Sequence, residues 1–177
     1  VGGVMGSVYA QPVEVPDTYG GDFWSRPRLT GSWDGIRDNL GHHGLVFDVD
    51  ITQNLQGVAS GGKNTGVAYG GIADYIINGD TDKLGLWPGG FFKVHAESSF
   101  GGNANNASGA LAPVNMAAFI PSLSSNETAT ALMNATFMQF VSPWAGMYFG
   151  KIDTVDGGGT EFWGNYRTQF MNANFNF

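Results

Sequence analysis

The sequence predicts an all-β, antiparallel, membrane-spanning sheet, and three observations carry that prediction. Segments of about a dozen residues alternate apolar and polar side chains at period two. Charged residues are only 13% of the chain, whereas aromatics reach 14% and glycines number 28 of 177. No run of 18 apolar residues occurs, so no transmembrane helix is encoded. A chain that is polar without being charged, and rich in turn residues and aromatics, suits a transmembrane β-barrel with aromatic girdles.

Residues 1–10, VGGVMGSVYA, are small, apolar and uncharged. They end with Val8 and Ala10 at the spacing of a cleavage site, the expected tail of a secretory signal. Residues 11–31, with Pro12, Pro16 and Pro27, read as an extended lead segment. A short periplasmic helix is expected within 32–43. Ser32 is placed to cap it, Trp33, Ile36 and Leu40 form one apolar stripe, and Gly41 and Gly44 stop it. That helix is expected to pack under the mouth of the barrel through Trp33 and Leu40.

From residue 44 the period changes to two. In LVFDVDITQNLQ, Leu45, Phe47, Val49, Ile51 and Leu55 alternate with Asp48, Asp50, Thr52, Asn54 and Gln56. Roughly 9–11 residues cross a bilayer as a strand, against about 5–6 in a typical soluble strand, so the length favours a membrane. A second strand, Val67 to Asn78, sets Tyr69, Ala73, Tyr75 and Ile77 against Gly70, Asp74 and Asn78, with Ile72 and Ile76 breaking the pattern. The third sets Phe92, Val94, Ala96 and Phe100 against Lys93, His95, Glu97 and Ser99. In the fourth, residues 128–141, Ala129, Ala131, Met133, Ala135, Phe137 and Val141 oppose Thr128, Thr130, Asn134 and Thr136. The fifth, MYFGKID, points Tyr148 and Ile152 one way and Lys151 and Asp153 the other. A sixth is expected from about Gln169, where FMNANFNF alternates.

The connections at 57–66, 101–127 and 154–168 are long and rich in Gly, Asn and Ser. Those at 79–90 and 142–146 are shorter and set Pro beside Trp, as Trp87-Pro88 and Pro143-Trp144. Alternating long loops and short turns are what successive hairpins of an outer-membrane barrel show. Trp87 and Trp144 then belong to the periplasmic girdle.

Several chemistries are poorly matched. A net charge of −7 with no Lys/Arg cluster argues against nucleic acid. The absence of cysteine excludes disulfides and thiolate metal sites. His42 and His43 lack a third metal ligand, His95 with Ser98 or Ser99 lacks an orienting acid, and DGGG lacks the lysine of a phosphate loop. No catalytic residue, metal or cofactor is expected, and the chain does not read as an enzyme.

Four stretches resemble the carbohydrate-selective porins of the OprB type. They are RLTGSWDGIRDNLGHHGLVFDVDITQNLQG (28–57), DKLGLWPGGFFKVHA (82–96), YFGKIDT (148–154) and RTQFMNANF (167–175). KLGLWPGG and RTQFMN are the most specific of them, and together the stretches span residues 28–175. The resemblance implies a barrel of about sixteen strands, in the outer membrane of a Gram-negative bacterium, that passively admits monosaccharides and other small sugars. Its partners would be those sugars and the surrounding lipid, with the oligomeric state left open. Five or six strands cannot close such a barrel, so residues 44–177 look like the N-terminal third of one.

A sugar pore needs no reaction chemistry; it needs a wet lumen of suitable width and lining. Parity puts Asp48, Asp50, Lys93, His95, Glu97, Lys151 and Asp153 on the expected lumen face. TVDGGGTEFWGNYRTQF, which the resemblance marks as an inward constricting loop, offers Glu161 and Arg167 to sugar hydroxyls and Trp163 and Tyr166 to a pyranose face. The same loop could instead be a surface loop with a Glu161–Arg167 ion pair. The alternative for the whole chain is an exported soluble β-sandwich that binds glycans through its aromatics.

Overall fold

A computed structural model describes residues 15–119, 121, 128–153 and 166–175. Its strands form one antiparallel sheet in chain order. They are β1 (Leu45–Val58), β2 (Gly66–Asp80), β3 (Gly90–Gly101), β4 (Ala129–Ser142) and β5 (Ala145–Lys151). The first four have 12 to 15 residues each, enough to cross a bilayer. The expected signal tail, residues 1–10, lies outside the described residues.

Burial decides which face is which. In β1, Phe47, Val49, Ile51 and Leu55 are 36%, 43%, 61% and 72% exposed, whereas Asp48 and Asn54 are each 8% exposed. Val94 of β3 is exposed, while His95, Glu97 and Ser99 are buried. A water-soluble sheet would bury the apolar set; here the polar set is inside. On the apolar face two phenylalanine rings lie over glycines of the neighbouring strand. A Cβ at Gly79 would overlap the Phe92 ring, and one at Gly71 would sit 2.7 Å from Phe100 Cζ. Each ring covers backbone that the missing side chain leaves bare.

Two compact units divide the chain. The first comprises Val1–Asp48, Ile76–Val94 and Asn134–Ile152 and holds the lead segment, a helix and both short turns. The turn after β2 closes through Thr81, whose N–H and Oγ1 both donate to Gly90 O, at 2.9 and 3.0 Å. Asp80 Oδ1 accepts from Asp82 N at 3.0 Å, a local bond typical of turn aspartates. Helix α1 spans Ile36–His42 and differs from the expected helix. Ser32 is not its cap; Trp33, Asp34 and Gly35 run left-handed, with φ of 54, 55 and 86°, before it begins. Its buried residues are Arg37 and Gly41, while Trp33 and Ile36 are exposed and Leu40 is half-buried, so the stripe expected to pack under the mouth is not the packed face of the helix. The reason is Arg37. Its guanidinium donates to the Asp48 carboxylate and to Phe47 O, the latter at 3.1 Å, and lies 4.3 Å from the centroid of Tyr19. Burial, followed by the Asp48 charge, raises the Tyr19 pKa above its ordinary value of 10.0.

The register of β4 and β5 sets Phe137 opposite Phe149, Met138 opposite Tyr148 and Ala135 opposite Lys151. Opposed residues share a face. Lys151 therefore takes the face of Ala135 and Phe137, and Tyr148 the other, the reverse of the expected parity. In β4 itself Asn134 and Thr136 are buried as expected, whereas Leu132 is exposed.

The second unit comprises Val49–Tyr75, His95–Met133 and Asp153–Phe177. Two connecting segments pack there on the polar face. One follows β3 and contains α2 (Asn105–Ser108); the other is residues 166–175. Met116 N donates to Met171 O at 2.7 Å and Ala173 N to Pro113 O at 2.9 Å, stitching the two together. Beneath them lies a small apolar cluster of Ile72, Met116, Ala117, Tyr166 and Ala173, with Ile72 fully buried. This explains the break in the β2 pattern: Ile72 is on the polar face because two segments cover it. The expected sixth strand is absent over Gln169–Phe175. That stretch ends in a 3-10 turn, Ala173–Phe175, and Ala173 is spent in the apolar cluster rather than in a ladder.

Candidate functional site

Four side chains of the second unit meet on the polar face. Asp74 comes from β2, His95 and Glu97 from β3, and Arg167 from the inner segment. The strands explain the first three: 95 and 97 share a face at period two, and β2 neighbours β3. Arg167 Nε donates to Asp74 Oδ2 at 2.8 Å, and its Nη2 donates to Asp74 Oδ1 and to Glu97 Oε2, both at 2.7 Å. The Arg167 guanidinium also stacks 4.6 Å from the Tyr166 ring centroid. His95 Nε2 lies 2.7 Å from Asp74 Oδ1; with the carboxylate accepting, the proton sits on Nε2. His95 Nδ1 is buried and has no hydrogen-bond partner among the described residues.

Asp74, His95 and Glu97 are 2%, 2% and 1% exposed. Unpaired charges at such burial would be strongly disfavoured, so Arg167 is the counter-charge that makes the cluster tenable. Burial opposes the Arg167 charge. The hydrogen bond to Asp74, with the charges of Tyr166, Asp74 and Glu97, outweighs it and raises the pKa above the ordinary arginine value. The cation therefore persists at any working pH. Ligand-capable atoms of Asp74, His95 and Glu97 lie within 4.8 Å of one another, as metal ligands do. The fork of Arg167 already engages both carboxylates, and the arrangement is an ion-pair cluster that fastens residues 166–175 to the wall.

The other expected lining residues separate into groups. Asp48 is tied to Arg37 and, at 2.8 Å, to Arg28 Nε, so it anchors the lead segment of the first unit. Asp50 and Lys93 are half-buried, and Asp153, half-buried beyond β5, is close enough for its charge to act on Glu97. Lys151 falls on the opposite face, as the register requires. Glu161 and Trp163 lie outside the described residues. Arg167 pairs with Asp74 and Glu97; the alternative Glu161–Arg167 pair falls outside the described residues. Sequence reasoning missed Asn115, which is fully buried. Its Nδ2 donates to Gln56 Oε1 at 2.8 Å, its Oδ1 accepts from Ala118 N at 2.9 Å, and its own N–H donates to Asn105 Oδ1 at 2.7 Å. The available signal was APVNMAAF, an apolar run inside a polar connection.

A sheet of long strands with apolar side chains on its open face, charged residues buried on the other and connecting segments folded onto that polar face is the wall of a porin-type β-barrel. The fold is shared with a solved structure of OprB from Pseudomonas putida, determined at high pH. The two align with a TM-score of 0.64 and 21% identity over 83% of this chain and 34% of that one. This chain thus spans about a third of the length of that protein. No protein-family model and no curated protein matches the sequence.

Proposed function

We propose that the chain forms part of an outer-membrane porin through which small neutral sugars diffuse passively, with Arg167, Tyr166 and Glu97 at the narrowing of the lumen. The observation that carries this reading is the fastening of residues 166–175 to the polar face through Asp74 and Glu97. A segment held inward narrows the water path and presents fixed donors and acceptors there, which is how pores select. Tyr166 is buried in the apolar cluster around Ile72 and lies against the guanidinium, so it braces Arg167 from behind rather than offering its ring to a sugar. Asp153, Asp50 and Lys93 add polar groups of both signs, fitting a neutral, hydroxyl-rich solute rather than an ion of one sign. Glu161 and Trp163 belong to the same proposal. The mechanism requires no bond to be made or broken.

The test is liposome swelling with the intact porin. Substituting Arg167 and Glu161 should change the relative entry rates of monosaccharides, and unchanged rates would reject their role. The soluble sandwich is disfavoured by the described residues, which hold one sheet with exposed Phe47, Val49, Ile51 and Leu55 and no second sheet over them.

A further inference from the structure

The lead segment and the residues just before and at the start of α1 expose apolar side chains that the first unit does not cover. Phe23, Trp24, Leu29, Trp33 and Ile36 are exposed, from 36% at Trp33 to 89% at Trp24. Large exposed apolar side chains gathered in one short segment mark a site of interaction, and the place of Trp33 says with what. The Trp33 ring centroid is 6.5 Å from that of Phe47, a residue of the apolar face of β1. The patch therefore continues the lipid-facing side of the wall past the end of the strand.

The backbone is contorted to hold it there. Trp33 and Asp34 are the only non-glycine residues with positive φ among those described, and such strain persists where function retains it. The left-handed turn sends Trp33 outward while Arg37 goes beneath, onto Tyr19 and Asp48. Trp87 and Trp144, in the two short turns of the same unit, are exposed as well. Trp87 Nε1 donates to Gln139 Oε1 at 2.8 Å, and its ring lies 6.2 Å from Phe137 of the apolar face. Tryptophan has an apolar body and a polar edge, which places it at a membrane–water boundary.

We infer that residues 23–36 are an interfacial anchor. Trp24, Leu29, Trp33 and Ile36 rest in the headgroup–acyl boundary of a phospholipid leaflet and extend the aromatic girdle from the turns onto the lead segment. Continuity with the lipid-facing side chains of β1 favours lipid over a second copy of the chain. Arg26, 5.1 Å from the Phe23 ring, sets a cation beside the patch, matched to lipid phosphate. The inference rests on the barrel fold and not on what passes through it.

Spin labels test it. Trp24→Cys and Ile36→Cys are labelled in the intact porin and reconstituted in phosphatidylethanolamine–phosphatidylglycerol vesicles, with Val49→Cys as the membrane control and Asp82→Cys as the aqueous one. Oxygen should reach the labels at 24 and 36 better than a nickel chelate does, giving a depth between the two controls. Nickel access equal to that at 82 would put the segment in water and overturn the anchor. Poor access to both reagents would mean that protein covers the patch, and would overturn it equally. A second readout needs no label. Brominated phospholipid should quench the tryptophan emission of the native porin, and W24F should reduce the quenched fraction. An unchanged fraction also refutes the anchor.

Discussion

Removing Arg167 alone should disturb the inner wall more than removing it together with the charges it neutralises. R167M deletes three charge-assisted hydrogen bonds of 2.7 to 2.8 Å, each worth about 1.5–3 kcal/mol. It leaves Asp74 and Glu97 buried without a counter-charge. Breaking a buried pair from one side costs about 3–5 kcal/mol. Arg167 retains 13% side-chain exposure, so water entering the gap relieves part of this, and the lower end applies. About 3 kcal/mol shifts the ratio of fastened to released segment on the order of a hundredfold. Replacing all three charges, as D74N/E97Q/R167M, removes the uncompensated carboxylates along with the arginine and should be close to neutral. R167K should fall between, because an ammonium cannot span both carboxylates with a planar fork. Under the proposed function, single-channel recording of the intact protein in planar bilayers reads the outcome as open-channel noise and mean conductance. R167M should be noisy and the triple variant quiet. A triple variant as noisy as R167M would show that charge compensation is not what fastens residues 166–175, and a quiet R167M would show that Arg167 does not fasten them at all.

Two further outcomes follow from packing and from titration. I72A removes the fully buried side chain under Tyr166 and Met116, at about 2–5 kcal/mol. It should raise channel noise without changing its dependence on salt, since no charge is lost. Tyr19 has a pKa raised by burial, so the folded state holds the phenol proton more tightly than the unfolded chain does. Its contribution to stability is complete below pH 10.0 and is lost as pH rises through the folded-state value. Docking of the lead segment should weaken on that alkaline side, seen as rising mobility of a label at position 36, and Y19F should flatten the dependence.

The wall was legible because period two is a local property. Phe47, Val49 and Val94 fall on the exposed face and Asp48 and Glu97 on the buried one, as alternation alone requires. Where alternation misled, a specific local feature intervened. In β5 the register after the Pro143-Trp144 turn, with an irregularity between Phe140 and Ser142, fixes the face of Lys151, and a seven-residue pattern cannot reveal it. Residues 169–175 alternate, but Ala173 packs on Ile72 instead of pairing in a ladder. The site was half legible. His95 and Glu97 follow from parity, and Arg167 was singled out by its motif. What they bind was not, because Asp74 and Arg167 are 93 residues apart, and only the folding-back of a connection brings them together.

The helix forms within the expected range, but its expected packing stripe failed for a deeper reason. Reading Trp33, Ile36 and Leu40 as a packing stripe assumes that the inside of a protein is apolar. Against a barrel wall the inside is the polar side and the outside is oil, so the stripe rule inverts. Arg37 goes in because Asp48 and the Tyr19 ring receive its charge. Gly41 goes in because a Cβ there would sit 2.9 Å from Val15 Cγ1. Trp33 and Ile36 go out, toward the side that the inferred anchor gives to lipid. Ile72 departs with the opposite sign, an apolar residue on the polar face, where the inner segments roof it. Both departures share one cause: each side chain follows the medium it meets, and in this sheet the two media have exchanged sides.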